Sequence, residues 1–477
     1  MMKTVFEKSR AGLTGCSWVQ GKGPVELQNV LDASYLRESL EGLPELSEPD
    51  VVRHFTNLSH RNFSIDENFY PLGSCTMKYN PRINEVVANL KGLAYLHPYQ
   101  PIEDVQGTLE ILYRLEKLLC EIAGMDAFCL QPAAGAHGEY LGLLLVRAYH
   151  RAKKNNKTKI LIPDSAHGTN PSSAALTGYE VVTIKSSEGE LLDIKDLEEH
   201  LDDQVAALML TNPNTLGLFE KNIIDIAKKV HQTGALLYYD GANLNPLLGL
   251  VRPGDMGFDI VHINTHKTFS TPHGGGGPGA GPVGVKKELI DFLPIPRIVK
   301  AGDVFQLKMD IPHSVGKLHA FYGNVGVLIR AYTYILSLGR NGLERVGQNA
   351  IINANYLLKR LEKSFDRVHE GPCMHEFVLS GKRYTKKGIK VLDIAKRLLD
   401  YGFHAPTVYF PLIVDEALMI EPTETESKET LDAFIKALDA IVKEIDHNPD
   451  VLHQAPLTTC VGRLDEVKAV TQPKVID

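Results

Sequence analysis

Apolar residues along the chain follow two periods, one typical of strands and one typical of helices. Compact apolar runs predict buried strands at five places: Thr158–Ile162, Val181–Ile184, Val205–Leu210, Ala235–Tyr239 and Ile260–Ile263. Between these runs, apolar residues recur every three or four positions, as on one face of a helix. Because strands and helices alternate, we expect an α/β fold whose mostly parallel sheet is covered by helices.

The helical period predicts four helices among these strands: Asp104–Ala123, Tyr140–Ala148, Leu191–Leu201 and Asn222–Thr233. In the first, an apolar stripe indicates core packing, and Gly124 supplies a stop signal. Further helices are expected at Gly326–Leu338 and Gln348–Phe365, leading away from the sheet.

We expect a smaller C-terminal α+β domain after these helices. It contains strands at Met374–Leu379 and Leu418–Glu421, and helices at Asp393–Tyr401 and Lys428–Glu444. The expected organisation is an N-terminal arm over 1–65, a large domain over 66–339, a small domain over 340–447 and an extended tail over 448–477. In the arm, helical patterns occur at Val25–Glu41 and Pro49–Leu58. The arm is expected either to wrap a partner subunit or to cap its own chain.

Composition places the chain among ordinary globular proteins. It has 477 residues, 44% hydrophobic, with a net charge of −7, so we expect no nucleic-acid surface. No apolar run is long enough to span a bilayer, and the first residues lack the apolar core of a signal peptide, so a cytoplasmic location is expected. Six cysteines without regular spacing predict neither a disulfide framework nor, without a CxxC pair, a structural zinc site.

The chemically distinctive pair is Asp240 and Lys267, each at the end of an apolar run. A lone lysine is usually solvated, but a lysine amine and a carboxylate at neighbouring strand ends suit pyridoxal 5'-phosphate (PLP). The amine binds its aldehyde, and the carboxylate holds its ring nitrogen. The glycine-rich loop at 274–279 lacks the GxxxxGK[ST] spacing of a nucleotide site.

Three longer motifs resemble one family. The segment NTHKTF at 264–269 with its glycine loop, SAHGTNP at 165–171 and PLGSCTMKYNP at 71–81 resemble the P-protein, or glycine dehydrogenase (decarboxylating), family of the glycine cleavage system. Chain length and lysine position resemble its two-subunit bacterial form. The resemblance implies a fold-type I PLP-dependent transferase-like fold, with PLP bound covalently to Lys267.

The resemblance also implies the activity and the partners. Glycine would be decarboxylated and its aminomethyl group passed to the lipoyl arm of the H-protein. A second subunit, glycine dehydrogenase subunit 1, would complete an α2β2 heterotetramer. Another PLP enzyme, such as an aminotransferase or a desulfurase, remains an alternative, as does a non-catalytic scaffold, although the presence of Lys267 and Asp240 argues against a scaffold.

Residue types and the resemblance together predict the site. Small residues opening a helix predict a phosphate cup, and His167 is expected to stack on the cofactor ring and take part in catalysis with Lys267. The expected cofactor-binding residues are Lys267, Asp240, His167, Ala134, Gly135, Ala136, Thr169, Asn212 and His266. Asn212 could instead cap its turn.

Two segments are expected near the substrate. Their candidate residues are Ser74, Cys75, Thr76, Lys78, His97 and Tyr99. A surface turn and a proline-stiffened connector, respectively, are the alternatives for these segments. Cys75 is expected to be a small buried thiol rather than a nucleophile. The segment at 421–426, EPTETE, resembles a family segment to which no role is assigned.

Overall fold

The computed structural model describes residues 2–15, 26–37, 42–187, 191–275 and 279–473. The two lists that follow give its strands and its α-helices. The strands are β1 Ala127–Cys129, β2 Lys159–Pro163, β3 Glu180–Ile184, β4 Ser186–Ser187, β5 Leu191–Leu192, β6 Val205–Thr211, β7 Leu236–Gly241, β8 Ile260–Ile263, β9 Val283–Val285, β10 Arg297–Ala301, β11 Val304–Lys308, β12 Asp366–Arg367, β13 Phe377–Ser380, β14 Thr407–Val408 and β15 Ala417–Ile420. The helices are α1 Val5–Lys8, α2 Glu48–Ser59, α3 Arg82–Ala88, α4 Lys91–Ala94, α5 Gln106–Ala123, α6 Gly135–Ala152, α7 Thr169–Leu176, α8 Ile194–His200, α9 Ile223–Gln232, α10 Thr265–Thr268, α11 Val325–Leu361, α12 Val391–Asp400, α13 Lys428–His447, α14 Asp450–Gln454 and α15 Glu466–Thr471.

The chain divides into two units, Met1–Glu67 with Thr458–Asp477, and Asn68–Leu457. In the first unit, α2 confirms the helix predicted at Pro49–Leu58. The helix predicted at Val25–Glu41 is wrong over 26–37, where only short 3-10 turns occur, and its remaining positions lie outside the described residues. Asp32 accepts a hydrogen bond from the Ser34 amide, and such local bonds compete with a helix.

The second unit is built on a seven-stranded sheet in the order β1-β9-β8-β7-β6-β2-β3. Strands β8, β7, β6, β2 and β3 are parallel, whereas β9 is antiparallel to both of its neighbours. The expected mostly parallel sheet is therefore confirmed. Because the parallel strands share a direction, their carboxyl ends meet at one edge, where open α/β sheets bind ligands.

Alternate side chains of each central strand enter different hydrophobic cores. On β7, for example, Leu237 and Tyr239 join one core while Leu236 and Tyr238 join the other. Both faces are buried, which explains why these strands appear in the sequence as unbroken apolar runs.

The predicted helices around the sheet are present with shifted limits. Helix α5 ends at Gly124, whose φ of 69° is left-handed. Helix α6 begins at Gly135, five positions before the predicted start at Tyr140, so the small-residue segment forms its first turn. The helix predicted at Leu191–Leu201 is shorter, because its first two residues form β5.

The last part of the second unit holds an antiparallel sheet in the order β12-β13-β15-β14. The two helices predicted after residue 325 are confirmed as the two parts of α11, which are separated at Gly339, with φ 58° and ψ −176°. Its first half packs in a core of the large sheet rather than leading away from it, and its second half packs in the C-terminal core. The predicted domain limits stay predictions.

The extended tail predicted from residue 448 is wrong at its start. Helix α14 occupies Asp450–Gln454, and Leu452 is fully buried in the C-terminal core. Residues 474–477 lie outside the described part. No helix among the described residues has the length and apolar character that crossing a membrane requires.

Candidate functional site

Two neighbouring strands bring the predicted acid and amine to the same edge of the sheet. Asp240 lies near the end of β7, directly opposite His262 on β8, and Lys267 follows β8 on the single turn of α10. Lys267 Nζ forms no hydrogen bond or ion pair within the described ranges. The amine is thus available for chemistry at the sheet edge that also carries the carboxylate.

The Asp240 carboxylate is buried and surrounded by donors. Oδ2 accepts hydrogen bonds from Asn170 Nδ2 at 3.0 Å and Thr211 Oγ1 at 3.3 Å, while Oδ1 accepts from the Ala242 amide at 3.0 Å. Burial alone would raise the pKa of Asp240, but His262, these donors and Lys267 lower it on balance. Asp240 is therefore an anion at neutral pH, as a partner for a protonated ring nitrogen must be.

The small-residue segment forms an open helix N-terminus. Ala134 precedes the 18-residue helix α6, and no side chain caps its first amides. The segment is tightly held: a Cβ on Gly135 would lie 2.3 Å from Asn264 Oδ1, and one on Gly281 would lie 2.2 Å from the Ala134 carbonyl oxygen. Uncapped amides at a helix N-terminus suit a phosphate group, so the arrangement at Ala134, Gly135 and Ala136 is compatible with the predicted cup, which stays a prediction.

His167 and Thr169 are connected to the same sheet edge through Glu139. His167 Nδ1 lies 2.9 Å from Thr169 Oγ1, which donates to Glu139 Oε1 at 2.8 Å. The His167 ring is exposed and makes an edge contact with Phe410, with centroids 5.9 Å apart. An exposed flat face beside the acid is compatible with the predicted stacking role, which stays a prediction.

Asn212 provides a buried donor without a partner. Its Oδ1 accepts a hydrogen bond from the Glu220 amide at 2.9 Å, but Nδ2 is buried and unpaired among the described residues. A buried unpaired donor is costly, and a bound ligand with an acceptor oxygen would remove that cost. Together with the open cup and the Asp240 carboxylate, this orphaned donor fits PLP.

His266 lies beside a histidine that the sequence reasoning missed. Its ring is 4.7 Å from that of His273, centroid to centroid. Burial, with help from His273 and Lys267, lowers the pKa of His266 to about 3. His266 is therefore a neutral side chain at working pH, able to pack or hydrogen-bond but not to supply a charge.

The loop at Ser74–Thr76 is fixed by two buried carboxylates from the C-terminal sheet. The Ser74 amide donates to Glu376 Oε2 at 2.7 Å, and Thr76 donates to Glu421 from its amide at 2.8 Å and its hydroxyl at 2.6 Å. Ser74 and Thr76 have φ values of 63° and 52°. Such backbone strain in non-glycine residues persists where the surroundings enforce it, often at functional sites.

Cys75 lies between these residues, and the charge of Lys267 affects the pKa of its thiol. Burial raises the pKa of its thiol to about 11, an effect that Lys267 partly opposes. The thiol is therefore protonated at neutral pH, which agrees with the expectation that it is not a nucleophile.

Lys78 has a different environment from the one predicted. Its Nζ donates to Asn245 Oδ1 and Glu424 Oε1, each at 2.7 Å, and lies 3.2 Å from both the Thr268 carbonyl oxygen and Tyr334 Oη. These partners use all three of its donors. The contacts therefore do not support the predicted substrate role, which stays a prediction. They show that Lys78 is a buried side chain that connects its own segment to the residue next to Lys267.

His97 and Tyr99 lie in an aromatic cluster instead of at the paired acid and amine. Tyr99 Oη donates to the Ala320 carbonyl at 2.6 Å, and both rings contact Phe321. They also line a cavity of about 580 Å³ to which neither Asp240 nor Lys267 contributes. Their predicted substrate role is thus not supported by a described contact.

Sequence reasoning missed several polar residues of the candidate site. Six are buried: Glu139, Asn170, His262, His375, Glu376 and Glu421. His273 is half-buried. Burial and the neighbouring Glu421 raise the pKa of Glu376 well above its usual range. The available signal was the EPTETE segment, which begins with Glu421 and whose role the sequence left unassigned.

Two family models match the chain. The model described as glycine cleavage system P-protein matches residues 27–303, and the model described as glycine dehydrogenase, C-terminal domain, matches residues 346–456. Together they cover the seven-stranded sheet and the C-terminal antiparallel sheet.

Curated relatives match nearly the whole chain. A probable glycine dehydrogenase (decarboxylating) subunit 2 of Thermotoga petrophila is 57% identical over 472 residues, covering 98% of each chain. The protein of the same description from Listeria monocytogenes is 56% identical over 474 residues, covering 99% of this chain and 97% of the relative.

Solved structures agree on the fold. A glycine decarboxylase (P-protein) of the glycine cleavage system, in inhibitor-bound form, superposes with a TM-score of 0.73 at 21% identity, over 87% of this chain and 94% of that one. A cysteine desulfurase from Thermococcus onnurineus gives a TM-score of 0.62 at 16% identity, over 79% and 95%. The fold-type I architecture expected from the sequence is confirmed.

Proposed function

The chain belongs to the glycine cleavage system P-protein family, and we propose that it acts as the lysine-bearing subunit of a two-subunit glycine dehydrogenase (decarboxylating). It is a PLP-dependent oxidoreductase that decarboxylates glycine. The finer proposals concern the covalent attachment of PLP, the site residues and the acceptor of the aminomethyl group.

We propose that Lys267 Nζ binds PLP covalently. The amides at Ala134–Ala136 would hold its phosphate, Asp240 its ring nitrogen, and Asn212 Nδ2 a ring oxygen. His167 would cover one face of the ring, with His266 packed near Lys267. When bound, PLP supplies a ring that withdraws the electron pair left when carbon dioxide departs.

The residues of the chain have separate tasks. Asp240 keeps a negative charge in a buried place, which favours a protonated ring nitrogen by roughly one to three pKa units at such distances. Lys267 would move a proton at Nζ to or from the substrate carbon. The neutral His266 and His273 near Nζ add no competing positive charge at working pH.

Glycine offers no side chain to recognise, so a small pocket must exclude larger amino acids. We propose that the loop at Ser74–Thr76 forms one wall of it. The support is its strained backbone, its attachment to Glu376 and Glu421, and the response of the Cys75 thiol to Lys267.

The partners are likewise proposals. We propose glycine dehydrogenase subunit 1 as the partner in an α2β2 heterotetramer, and the lipoylated H-protein as acceptor of the aminomethyl group. A lipoyl disulfide suits an attacking carbon nucleophile because a thiolate leaves readily. We propose a cytoplasmic location.

One observation carries the proposal: in a chain 57% identical to a subunit 2 over 98% of its length, Asp240 and Lys267 lie at the ends of adjacent parallel strands beside an uncapped helix N-terminus. The test is exchange of labelled bicarbonate into glycine. It is measured with this chain alone, with subunit 1 added, and with lipoylated H-protein added as well. Exchange that needs both additions is expected.

The same mixtures supply the contrary outcome. Rapid amine transfer from an amino acid to a keto acid by this chain alone, without bicarbonate exchange in the full mixture, would favour an aminotransferase. Sulfur release from cysteine under the same conditions would favour a desulfurase.

A further inference from the structure

His262 is adjacent to Asp240, the residue proposed to bind the ring nitrogen of PLP. It is opposite Asp240 in the register of β7 and β8, is completely buried, and places Nε2 3.2 Å from Asp240 Oδ1. That contact falls short of a well-aligned hydrogen bond. Among the described residues, His262 is the only ionisable side chain in ion-pair contact with Asp240. The hydrogen bonds that Asp240 accepts come from an amide side chain, a hydroxyl and a backbone amide.

Tyr238 determines which nitrogen of His262 carries the proton. Its hydroxyl lies 2.9 Å from His262 Nδ1 and 3.5 Å from the Gly138 carbonyl oxygen. The shorter contact favours donation from the hydroxyl to Nδ1. Nδ1 is then an acceptor, so Nε2 bears the hydrogen and directs it toward the negative Oδ1.

Helix α6 is shaped to admit these two side chains. A Cβ on Gly142 would lie 2.1 Å from Tyr238 Cε2, and a Cβ on Gly138 would lie 3.2 Å from His262 Cβ and 2.7 Å from the Gly281 carbonyl oxygen. Two glycines one turn apart therefore let the helix that offers its N-terminus to phosphate rest directly on Tyr238 and His262. This packing connects the N-terminus of α6, the proposed phosphate site, with the surroundings of Asp240.

A second buried carboxylate, that of Glu139, also lies close to His262. Glu139, Asp240 and His262 place one ligand-type atom each within 4.8 Å of one another. Glu139 is satisfied by the hydroxyls of Thr169 and Ser173. His262 is therefore an ionisable side chain that lies close to both buried carboxylates.

We propose that His262 is a positioning residue. Tyr238 fixes its Nε2–H tautomer, and Nε2–H in turn orients the Asp240 carboxylate toward the ring nitrogen of PLP. The inference rests on the proposed function, because it assumes that PLP binds with its ring nitrogen at Asp240.

The test compares three variants of the full-length chain with a matched control. H262L removes the donor, H262Q keeps an N–H near the position of Nε2, and Y238F removes the hydroxyl that fixes the tautomer. H150Q is the control, since His150 is equally buried but bonds the Ala206 carbonyl. The readouts are the PLP dissociation constant from a spectral titration, the pH dependence of the PLP absorption band, and the 15N spectrum of the histidine rings without PLP.

H262L is expected to weaken PLP binding about tenfold, because the polar contact that orients the Asp240 carboxylate is lost, and to lower the pH at which the ring nitrogen loses its proton. The PLP dissociation constant of H262Q should remain within about threefold of the parent value. The constant of Y238F should lie between those of H262Q and H262L, and that of H150Q should equal the parent value. In the parent chain, His262 should carry a proton on Nε2, with Nδ1 accepting the Tyr238 hydroxyl.

Either of two results overturns the inference. One is H262L binding PLP as tightly as the parent, or H262Q losing as much as H262L. The other, which does not require any variant to fold, is the Nδ1–H tautomer in the parent chain. A parent chain that binds no PLP at Lys267 would instead overturn the proposed function, so the two failures are distinguishable.

Discussion

Lys78 Nζ lies 2.7 Å from Glu424 Oε1, and both side chains are almost completely buried. The two residues are 346 positions apart, so this contact ties the PLGSCTMK loop to the EPTETE segment. Lys78 also reaches the carbonyl oxygen of Thr268, the residue after Lys267. Burial opposes its charge, but Glu424 and Tyr334 raise the pKa of Lys78 on balance.

Removing one member of this pair should destabilise the protein strongly. K78M leaves Glu424 buried without its cation, and such a loss costs about 3–5 kcal/mol. Urea unfolding followed by circular dichroism measures the change. K228M is the matched control, because Lys228 forms an exposed pair with Asp225 and should change stability by less than about 0.5 kcal/mol. Equal unfolding midpoints for K78M and the parent would contradict the assignment.

Lys267 should be the lysine that carries PLP. Borohydride reduction of the PLP-loaded chain, followed by digestion and mass spectrometry, is expected to place the pyridoxyl label on the peptide containing Lys267. K267A should lose the label and at least about 10²–10⁴-fold in exchange rate, whereas the exposed K221A should keep both. Label on any other lysine would refute the prediction.

Glu421 should act on substrate binding through the Thr76 loop. E421Q replaces a carboxylate that accepts two hydrogen bonds from Thr76, one on each oxygen, with an amide whose NH2 group would face one of those two donors. We expect the KM for glycine to rise about tenfold with a smaller change in kcat. Steady-state exchange kinetics separate the two constants, and E429Q, on an exposed part of α13, is the control. A change in kcat alone would argue for a role in the chemical step instead.

Cys75 should be dispensable and slow to react. With a thiol pKa of about 11, only roughly 0.1% would be thiolate at pH 8, and the thiolate is the reactive form. C75S is expected to keep activity within a few fold. Alkylation by iodoacetamide, mapped by mass spectrometry, should label the exposed Cys460 first. Abolished activity in a folded C75S would show that the thiol takes part in the reaction.

His266 should contribute to acid lability. Its folded pKa of about 3 lies below the usual value near 6.5, so below pH 6.5 the unfolded chain takes up a proton that the folded chain refuses. Stability from this group is complete above about pH 7 and is lost as pH falls, by about 1 kcal/mol between pH 7.5 and 5.5. The free energy of unfolding of the PLP-free protein should be measured at both pH values. The decrease between them should be smaller in H266N than in the parent by this amount. An unchanged pH slope would contradict it.

The sequence predicted those features of the site that short patterns encode. Apolar runs located the central strands, and polar residues just after them located Asp240 and Lys267 at one sheet edge. The uncapped start of α6 followed from the small residues around Gly135, although the helix was placed too late, because glycine and alanine carry no amphipathic period.

The missed residues have no local signal. His262 lies inside an apolar run and Glu376 follows a strand-like pattern, so each was assigned as part of a strand. Their roles depend on pairings across the fold: Glu376 bonds Ser74 302 positions away, and His262 faces Asp240 only in the register of the sheet. Lys78 was assigned to the substrate because its motif suggested proximity, whereas burial of Glu424 decided its partner.

Helix α11 belongs to two cores at once, and its only interruption is a glycine whose backbone angles side chains rarely adopt. The two parts of α11 do not divide between the two cores at Gly339, because Leu343 and Val346 beyond the break still pack in the core of the large sheet. The loop at Ser74–Thr76 is bonded to Glu376 and Glu421 and pairs with β15 through Leu72. Any displacement of the C-terminal sheet would therefore carry this wall of the proposed glycine pocket with it.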